Sequence, residues 1–332
     1  MSAHKLPLTL GCWNYDRTRA LADGSVQPDG IELNYLDMPV EETFFRMLRY
    51  QEFDVAELSF SSYCVSLMKE PQPFIAIPIF PSRFFRHSSI FVSTKSGIKE
   101  PKDLIGRKIA TPEYQMTAPV WIRGILQDEY GVPVESVEYH TGGEEEPNRD
   151  EKIKLDLPPK IKLKPIGPGK ILSHMLADGE LDAMHTARSP STYHTRPNDV
   201  KRLFENYQEI ELAYYRKTKI FPIMHTIAIR REVYEKNRWI ARSLYKAFAE
   251  SQRRTYEDMG VTAALKTMLP WLNAHVEAAR RDLGHDWWPY GFGPNRHVID
   301  TFLRYHHEQG LSKRRLTPEE CFAPETMEAF KI

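Results

Sequence analysis

Two arginines and a histidine lie close together in an apolar stretch of the chain. Arg83, Arg86 and His87 fall between the apolar runs 74–79 and 90–92, and no acidic residue occurs within 80–89. A cation beside apolar strands is costly unless a partner offsets its desolvation. The arginine fork suits a carboxylate or a phosphate. The segment therefore predicts an anion site, with pairing to a distant Asp or Glu as the structural alternative.

Further polar side chains lie near the carboxyl ends of predicted strands, where open α/β sheets bind their ligands. The candidates from these positions are Arg17, Arg19, Glu57, Ser61, Ser62, Glu113, Tyr114, Arg188 and His225.

Several of these candidates also have a structural interpretation. Arg17 and Arg19 fit a solvated first helical turn equally well. Ser61 and Ser62 fit a helix N-cap pair. A lone histidine in an apolar strand, as at His225, is often a hydrogen-bonded core residue. Glu57 fits a buried partner of Arg83 or Arg86.

Length and charge limit the classes of function. A chain of 332 residues predicts two lobes. Its 45 basic and 45 acidic side chains balance, which argues against nucleic acid or anionic membrane as partner. The three cysteines are dispersed, so neither a disulfide framework nor a structural zinc site is indicated. No apolar run of membrane-spanning length occurs, and residues 1–10 lack a signal-peptide core, so we expect a cytoplasmic protein.

Short apolar runs alternate with helix-period segments through the first two-thirds of the chain, a pattern that predicts an α/β fold. After the long apolar segment 221–229 the sequence turns mainly helical, and Thr317-Pro318-Glu319-Glu320 predicts the start of a last helix. The nucleophile elbow, the H-E-x-x-H helix and the P-loop motif are absent from the sequence, so hydrolase, metalloprotease and NTPase functions lose their usual support.

Two segments resemble type II periplasmic-binding-protein folds: residues 100–110, which open a second lobe, and residues 176–183, which precede a late strand. The resemblance implies two lobes joined by two crossing strands, at 89–93 and 221–229, with ligand held between the lobes. We therefore expect residues 1–90 plus 222–332 to form lobe 1, with a helical C-terminal region, and residues 91–221 to form lobe 2.

Most of the chain also resembles the bacterial 4,5-dihydroxyphthalate decarboxylases. The matching blocks are residues 39–48, 80–87, 113–117, 141–147, 221–226 and 288–291. The resemblance implies non-oxidative loss of one carboxylate from a catechol dicarboxylate, giving protocatechuate.

The chemistry of that reaction assigns roles to the candidates. A cationic clamp is expected from Arg83, Arg86 and Arg188, and Arg17 and Arg19 are candidates for the second carboxylate. His87 and His225 form the predicted acid and base pair, in either order, with Glu57 and Glu113 as substitutes. Ser61, Ser62, Glu113 and Tyr114 complete the predicted substrate contacts.

No organic cofactor is chemically required, because the ring itself accepts the electron pair. An open alternative is a divalent metal that binds the catechol oxygens and is held by His87, His225 and a glutamate. The functional alternative is a non-catalytic cytoplasmic protein that binds or senses an aromatic carboxylate.

The aromatic segment 287–292 suits a place in the core, in a lid or in a contact between subunits, and we expect a homo-oligomer.

Overall fold

The computed structural model describes residues 5–149 and 151–328, and these divide into two compact units. Unit 1 comprises the described residues within 1–83, 223–299 and 317–332, and unit 2 comprises those within 84–222 and 300–316. The predicted lobes differ from these units at residues 84–90, 222 and 300–316, which the sequence places in lobe 1 and which belong to unit 2. The prediction of a cytoplasmic protein used the sequence of residues 1–10. Residues 1–4 of that segment lie outside the described residues.

Strands and helices alternate along the first part of the chain, as the sequence pattern predicts. The strands are β1 (Leu6–Cys12), β2 (Ile31–Asp37), β3 (Val55–Ser59), β4 (Phe74–Ile77), β5 (Ile90–Ser93), β6 (Lys108–Thr111), β7 (Glu138–Thr141), β8 (Lys162–Pro165), β9 (Ala183–His185), β10 (Val200–Arg202) and β11 (His225–Arg230). The α-helices are α1 (Arg19–Ala22), α2 (Val40–Tyr50), α3 (Phe60–Ser66), α4 (Thr117–Tyr130), α5 (Leu172–Asp178), α6 (Ser191–Thr195), α7 (Tyr207–Thr218), α8 (Arg231–Lys236), α9 (Trp239–Met259), α10 (Leu272–Leu283) and α11 (Phe292–Glu308).

Unit 1 contains a five-stranded mixed sheet in the order β2-β1-β3-β11-β4. β1 pairs in parallel with β2 and β3, whereas β11 runs antiparallel to β3 and β4. All five residues of β3 are buried, as expected for a central strand covered on both faces. Because β11 is antiparallel, its first residue lies at the same sheet edge as the carboxyl end of β3.

Unit 2 contains a six-stranded sheet in the order β10-β5-β9-β6-β7-β8. Strands β6, β7, β8 and β9 run parallel, and β5 is antiparallel to β9 and β10. Helix α4 packs against α11 within this unit, where Trp121 contacts the rings of Phe302 and Tyr305. The carboxyl ends of β6, β7 and β9 therefore share one edge of this sheet.

Several element boundaries differ from the sequence predictions. The predicted last helix at Thr317 is wrong: the capping box forms, but it opens a single 3-10 turn, Pro318–Cys321. The chain then bridges from Phe322 to Ala76 in β4, so its backbone covers the edge of the sheet instead of continuing a helix. Strands β7 and β10 and helix α7 were not predicted.

No helix in the described residues is both long and apolar enough to cross a membrane.

We predict that Gly124→Ala destabilises the protein, although alanine is the better helix former. Gly124 lies inside α4, and a Cβ there would overlap the ring of Tyr305. Overpacking of this kind costs about 1–3 kcal/mol of unfolding free energy, which urea denaturation would measure.

Gly293→Ala in α11 is the matched control, because no atom lies within 4 Å of the added Cβ. It should leave stability unchanged or slightly raised. Equal effects of the two substitutions would contradict the packing of α4 on α11.

Candidate functional site

A buried carboxylate, Glu57, lies in the middle of β3 and is fully shielded from solvent. In the β3–β11 register, His225 lies opposite Ser59 and Ile227 opposite Glu57. Side chains two residues apart share a face of the sheet, so Glu57 and His225 are diagonal neighbours on one face. The His225 Nδ1 atom lies 2.6 Å from Glu57 Oε1.

The loop after β1 supplies more hydrogen bonds to the same carboxylate. The hydroxyl of Tyr15 donates to Glu57 Oε1 at 2.7 Å, and the backbone N–H of Trp13 donates to Oε2 at 3.2 Å. The thiol of Cys12 lies 3.5 Å from Oε2. Parallel pairing of Gly11 with Ala56 brings this loop alongside Glu57.

These contacts fix the protonation state of Glu57. Burial acts to raise the pKa of this carboxyl, but hydrogen bonds from His225, Tyr15 and Trp13 outweigh it, so the pKa lies below its ordinary value. Glu57 is therefore an acceptor, and Nδ1 of His225 carries the proton between them. With the proton on Nδ1, Nε2 is the ring nitrogen left to accept a proton from a ligand when the imidazole is neutral.

The ring of His225 is also held by packing. Phe44 of α2 meets it edge to face, with 4.9 Å between ring centroids. The His225 side chain is 17% exposed, whereas that of Glu57 is 0% exposed. The pair thus has one buried carboxylate and one partly accessible imidazole.

Arg17 lies next to this pair, between two aromatic rings. Its guanidinium is 4.1 Å from the ring centroid of Tyr15 and 4.4 Å from that of Trp288. Its Nε donates to the carbonyl of Pro81 at 2.5 Å, and Nη1 donates to Asp16 at 3.0 Å. No described residue hydrogen-bonds Nη2, so one terminal nitrogen of a well-oriented cation is available to an anion.

We call Glu57, His225, Tyr15 and Arg17 the Glu57 cluster. The sequence predicted three of its members. It missed Tyr15 as a site residue, and it left the role of Trp288 open. The usable signal was the position of Tyr15 in the loop after the first strand, together with the aromatic segment 287–292.

Arg83, one of the three arginines expected to form the clamp, lies in unit 1 and is buried. It donates to the carbonyl of Pro289 at 2.7 Å and to the side-chain oxygen of Asn295. Its guanidinium lies 5.3 Å from the ring centroid of Phe80. These contacts anchor the segment around Pro289.

Arg19, Ser61 and Ser62 lie outside the Glu57 cluster. Arg19 is exposed and lines a charged cavity of about 420 Å³ beside the end of α9. Ser61 and Ser62 are buried in α3. The alternative that they form the N-cap pair is wrong, because the cap is Ser59, whose hydroxyl accepts from the Ser62 N–H.

In unit 2, the predicted substrate residues Glu113 and Tyr114 have partners within the chain. Glu113 is buried and lies 3.1 Å from Arg149 and 3.0 Å from Lys152. The Tyr114 hydroxyl donates to the carbonyl of Gln309 at 3.1 Å. These contacts occupy both groups.

The two remaining clamp arginines, Arg86 and Arg188, differ in exposure. Arg86 is buried and donates to the carbonyl of Ala187 at 3.2 Å. Burial lowers its pKa to about 9, with the charge of Glu211 acting in the opposite direction. Arg188 is exposed, and its backbone N–H donates to Thr186.

His87 has the surroundings of a core side chain. It is 1% exposed and meets the rings of Tyr130, Phe204 and Tyr214 at 5.3–5.9 Å. Neither ring nitrogen has a hydrogen-bond partner among the described residues. Burial lowers the pKa of His87 to about 4, so the ring is neutral near pH 7. This environment does not suit proton transfer to a ligand.

Residues 5–149 and 151–328 contain no group of three or more His, Cys, Asp or Glu side chains placed to hold a metal ion. The expectation that no cofactor is required stays a prediction, and the divalent metal stays an open alternative.

We predict that His87→Leu weakens the acid sensitivity of the fold and leaves turnover intact. In the unfolded chain the imidazole has a pKa of about 6.5, so between that pH and about 4 the unfolded state binds more protons. Unfolding free energy then falls as pH is lowered through this window, by up to about 1.4 kcal/mol per pH unit for each such group.

His185, whose pKa burial lowers to about 3, contributes with the same sign and stays in the variant. Urea unfolding at several pH values would measure the difference in slope. An unchanged dependence of the unfolding free energy on pH would contradict a neutral, buried His87. Loss of turnover with an intact fold would restore His87 as a functional residue.

No protein-family model matches the chain. The chain is 44% identical over 328 residues to a 4,5-dihydroxyphthalate decarboxylase of Comamonas testosteroni, covering 99% of each chain. It is 41% identical over 213 residues to a protein of the same name from Pseudomonas putida, covering 64% of this chain and 83% of that one.

Among solved structures, a periplasmic sulfonate-binding protein of Methylobacillus flagellatus matches with a TM-score of 0.55 at 12% identity, covering 97% of this chain and 92% of the other. That likeness concerns the fold alone, and it confirms the predicted α/β class with a periplasmic-binding-protein-like architecture. The sequence relatives confirm the predicted resemblance: this chain belongs to the 4,5-dihydroxyphthalate decarboxylase family.

Proposed function

We propose that this protein catalyses the non-oxidative decarboxylation of 4,5-dihydroxyphthalate, giving protocatechuate and carbon dioxide. The observation that carries the proposal is the His225–Glu57 contact of 2.6 Å beside Arg17, in a chain 44% identical to a protein of that name. An imidazole backed by a carboxylate suits proton transfer, and a stacked guanidinium suits an aromatic acid.

The reaction needs a base, a proton for carbon and a place for one carboxylate. Each carboxyl of the substrate is para to a hydroxyl, so removing that hydroxyl proton pushes electron density onto the carbon that carries the carboxylate. This carbon takes one proton, the carbon–carbon bond breaks, and its electron pair returns to the ring as carbon dioxide leaves. One proton is consumed for each carbon dioxide released, and the base returns the hydroxyl proton.

His225 is the proposed base, acting through Nε2. Glu57 holds the opposite nitrogen protonated and stabilises the imidazolium that forms, while Tyr15 and the Trp13 N–H keep the carboxylate in place. A side chain positioned in this way speeds proton transfer by about 10²–10⁴-fold. In other carboxylate–histidine pairs, too, the carboxylate orients the imidazole and the imidazole transfers the proton.

Arg17 is proposed to bind the carboxylate that the product retains. A cation on the departing carboxylate would stabilise the charge that must leave, and so would slow the reaction. The two rings orient the planar guanidinium, so the free Nη2 meets a carboxylate with little loss of side-chain entropy.

The alternative of a non-catalytic binding or sensing protein is not favoured, because both sequence relatives are named as decarboxylases. A small aromatic diacid fits the family. The roles of Arg83, Arg86 and Arg188, the cytoplasmic location and the homo-oligomer stay predictions.

The direct test is turnover of 4,5-dihydroxyphthalate by the purified protein in heavy water. We expect carbon dioxide and protocatechuate in equal amounts over many turnovers, with one deuterium on the ring carbon that lost its carboxylate. Parallel reactions after dialysis against EDTA test the metal alternative. Binding of the diacid without release of carbon dioxide would contradict the proposed activity.

We predict that Glu57→Gln lowers kcat by about 10²–10⁴-fold, the usual contribution of a positioned acid–base group. The amide is neutral, so it neither selects the Nδ1–H form of His225 nor stabilises the imidazolium. Steady-state kinetics on a variant with native circular dichroism would measure the loss.

Asp54→Asn is the matched control for Glu57→Gln, because it also replaces a carboxylate by an amide and Asp54 directly precedes β3. Asp54 accepts from the Thr9 N–H and from Arg230, so the variant should lose stability and keep its kcat. If Glu57→Gln keeps a kcat within threefold of the wild type, Glu57 has no part in proton transfer.

We predict that Arg17→Lys raises KM about tenfold or more, with a smaller effect on kcat. A lysine ammonium is a point charge that neither stacks flat between two rings nor keeps the bond to Pro81 while meeting a carboxylate. Initial rates over a range of substrate concentrations separate the two constants.

Arg49→Lys provides the comparison, because the exposed Arg49 also lies over a ring, that of Phe45, outside the Glu57 cluster. That variant should keep wild-type constants. Equal KM values for the Arg17 variant and the wild type would remove Arg17 from substrate binding.

A further inference from the structure

The aromatic segment Trp288–Gly291 in unit 1 is fastened by hydrogen bonds along its length. The Trp288 N–H donates to the Tyr256 hydroxyl at 3.0 Å, and its carbonyl accepts from Gln252 at 2.7 Å. The Pro289 carbonyl accepts from Arg83 and Asn295. The segment is therefore rigid.

The same bonding continues through the indole and the end of the segment. The Trp288 Nε1–H donates to the Phe80 carbonyl at 2.8 Å. The Gly291 N–H donates to the Pro78 carbonyl, and its own carbonyl accepts from Asn295, both at 2.8 Å. These bonds set the Trp288 ring against the guanidinium of Arg17.

The hydroxyl of Tyr290 is the exception. Tyr290 is 7% exposed, and its hydroxyl has no hydrogen-bond partner in the described part of the chain. Burying a hydroxyl without a hydrogen-bond partner is unfavourable, and a phenylalanine at this position would avoid that cost. Tyr290 differs from the unpaired His87, which aromatic rings enclose, because the nearby Trp288 contacts Arg17 of the Glu57 cluster; a ligand of that cluster is therefore the partner to test.

The charges around Tyr290 indicate the kind of partner. Burial raises the pKa of Tyr290, so the hydroxyl stays protonated and is a donor. The charged and titratable groups acting on it are Arg17, Cys12, Arg83 and Asp16. Two of these are cations; Arg17 belongs to the Glu57 cluster, and Cys12 contacts Glu57. A donor within electrostatic range of two guanidiniums suits an anionic oxygen.

We propose that the Tyr290 hydroxyl donates a hydrogen bond to the diacid bound at the Glu57 cluster, and that Trp288 positions Arg17 for the same ligand. The inference rests on the proposed function for the identity of the diacid. It makes the segment Trp288–Gly291 part of the binding site and not only core or subunit contact. Tyr290 is then a specificity residue, since a neutral or smaller ring substituent would leave its hydroxyl unpaired.

The test is Tyr290→Phe, followed by two measurements. The KM for 4,5-dihydroxyphthalate should rise about tenfold or more, the size of one hydrogen bond to a charged group. The urea midpoint should stay equal or rise, because the variant removes a buried hydroxyl without a partner in the chain. A merely structural tyrosine would give the reverse: lower stability and unchanged KM.

Tyr234→Phe is the matched control in the same unit. Tyr234 is buried, but its hydroxyl donates to Glu325 at 2.7 Å. This variant should lose stability and keep the wild-type KM. The pair of variants therefore separates loss of a ligand contact from loss of an internal hydrogen bond.

Phthalate binding by calorimetry separates this inference from the proposed activity, because phthalate carries both carboxylates and lacks the hydroxyls that drive decarboxylation. Weaker phthalate binding by Tyr290→Phe supports the inference even if the wild type releases no carbon dioxide. Equal phthalate affinity together with KM values within twofold overturns it, and would assign the hydroxyl to an ordered water only.

Discussion

The buried carboxylate of Glu57 is the constraint on which the candidate site depends. A charge in the central strand of a sheet is costly to bury, and the surrounding residues offset that cost with donors. His225, Tyr15 and the Trp13 N–H all donate to it. The same bonds that make the burial tolerable also orient the imidazole that we propose as the base.

A second constraint is the orientation of Arg17. Two rings, a carbonyl and Asp16 hold the guanidinium, and one of the rings, Trp288, is itself held by bonds to Phe80 and Tyr256. A cation held this firmly loses little freedom when an anion binds. The imidazole of His225 and the guanidinium of Arg17 are thus both held in place within the candidate site of unit 1.

The titratable groups of unit 2 contrast with this arrangement. Glu113 is closed off by Arg149 and Lys152, whereas His87 is enclosed by aromatic rings and kept neutral. Glu144 differs from both, since burial raises its pKa to about 7 while Thr186 donates to it. Burial is the leading cause of the pKa shifts of His87 and Glu144, whereas for Glu57 the hydrogen bonds and the charge of His225 outweigh burial.

The sequence by itself determined the α/β class, most strand positions and the family, because apolar periodicity and long matching blocks are local properties. It also indicated Arg17, Glu57 and His225 as candidates, since Arg17 follows one predicted strand and Glu57 and His225 lie within two others. Tertiary structure alone decided which candidates meet. The β3–β11 register pairs Glu57 with His225, and the return of residues 288–291 brings Trp288 onto Arg17. His87 looked equally suited for catalysis in the sequence, but whether an imidazole meets a carboxylate or three aromatic rings depends on contacts between residues far apart in the chain.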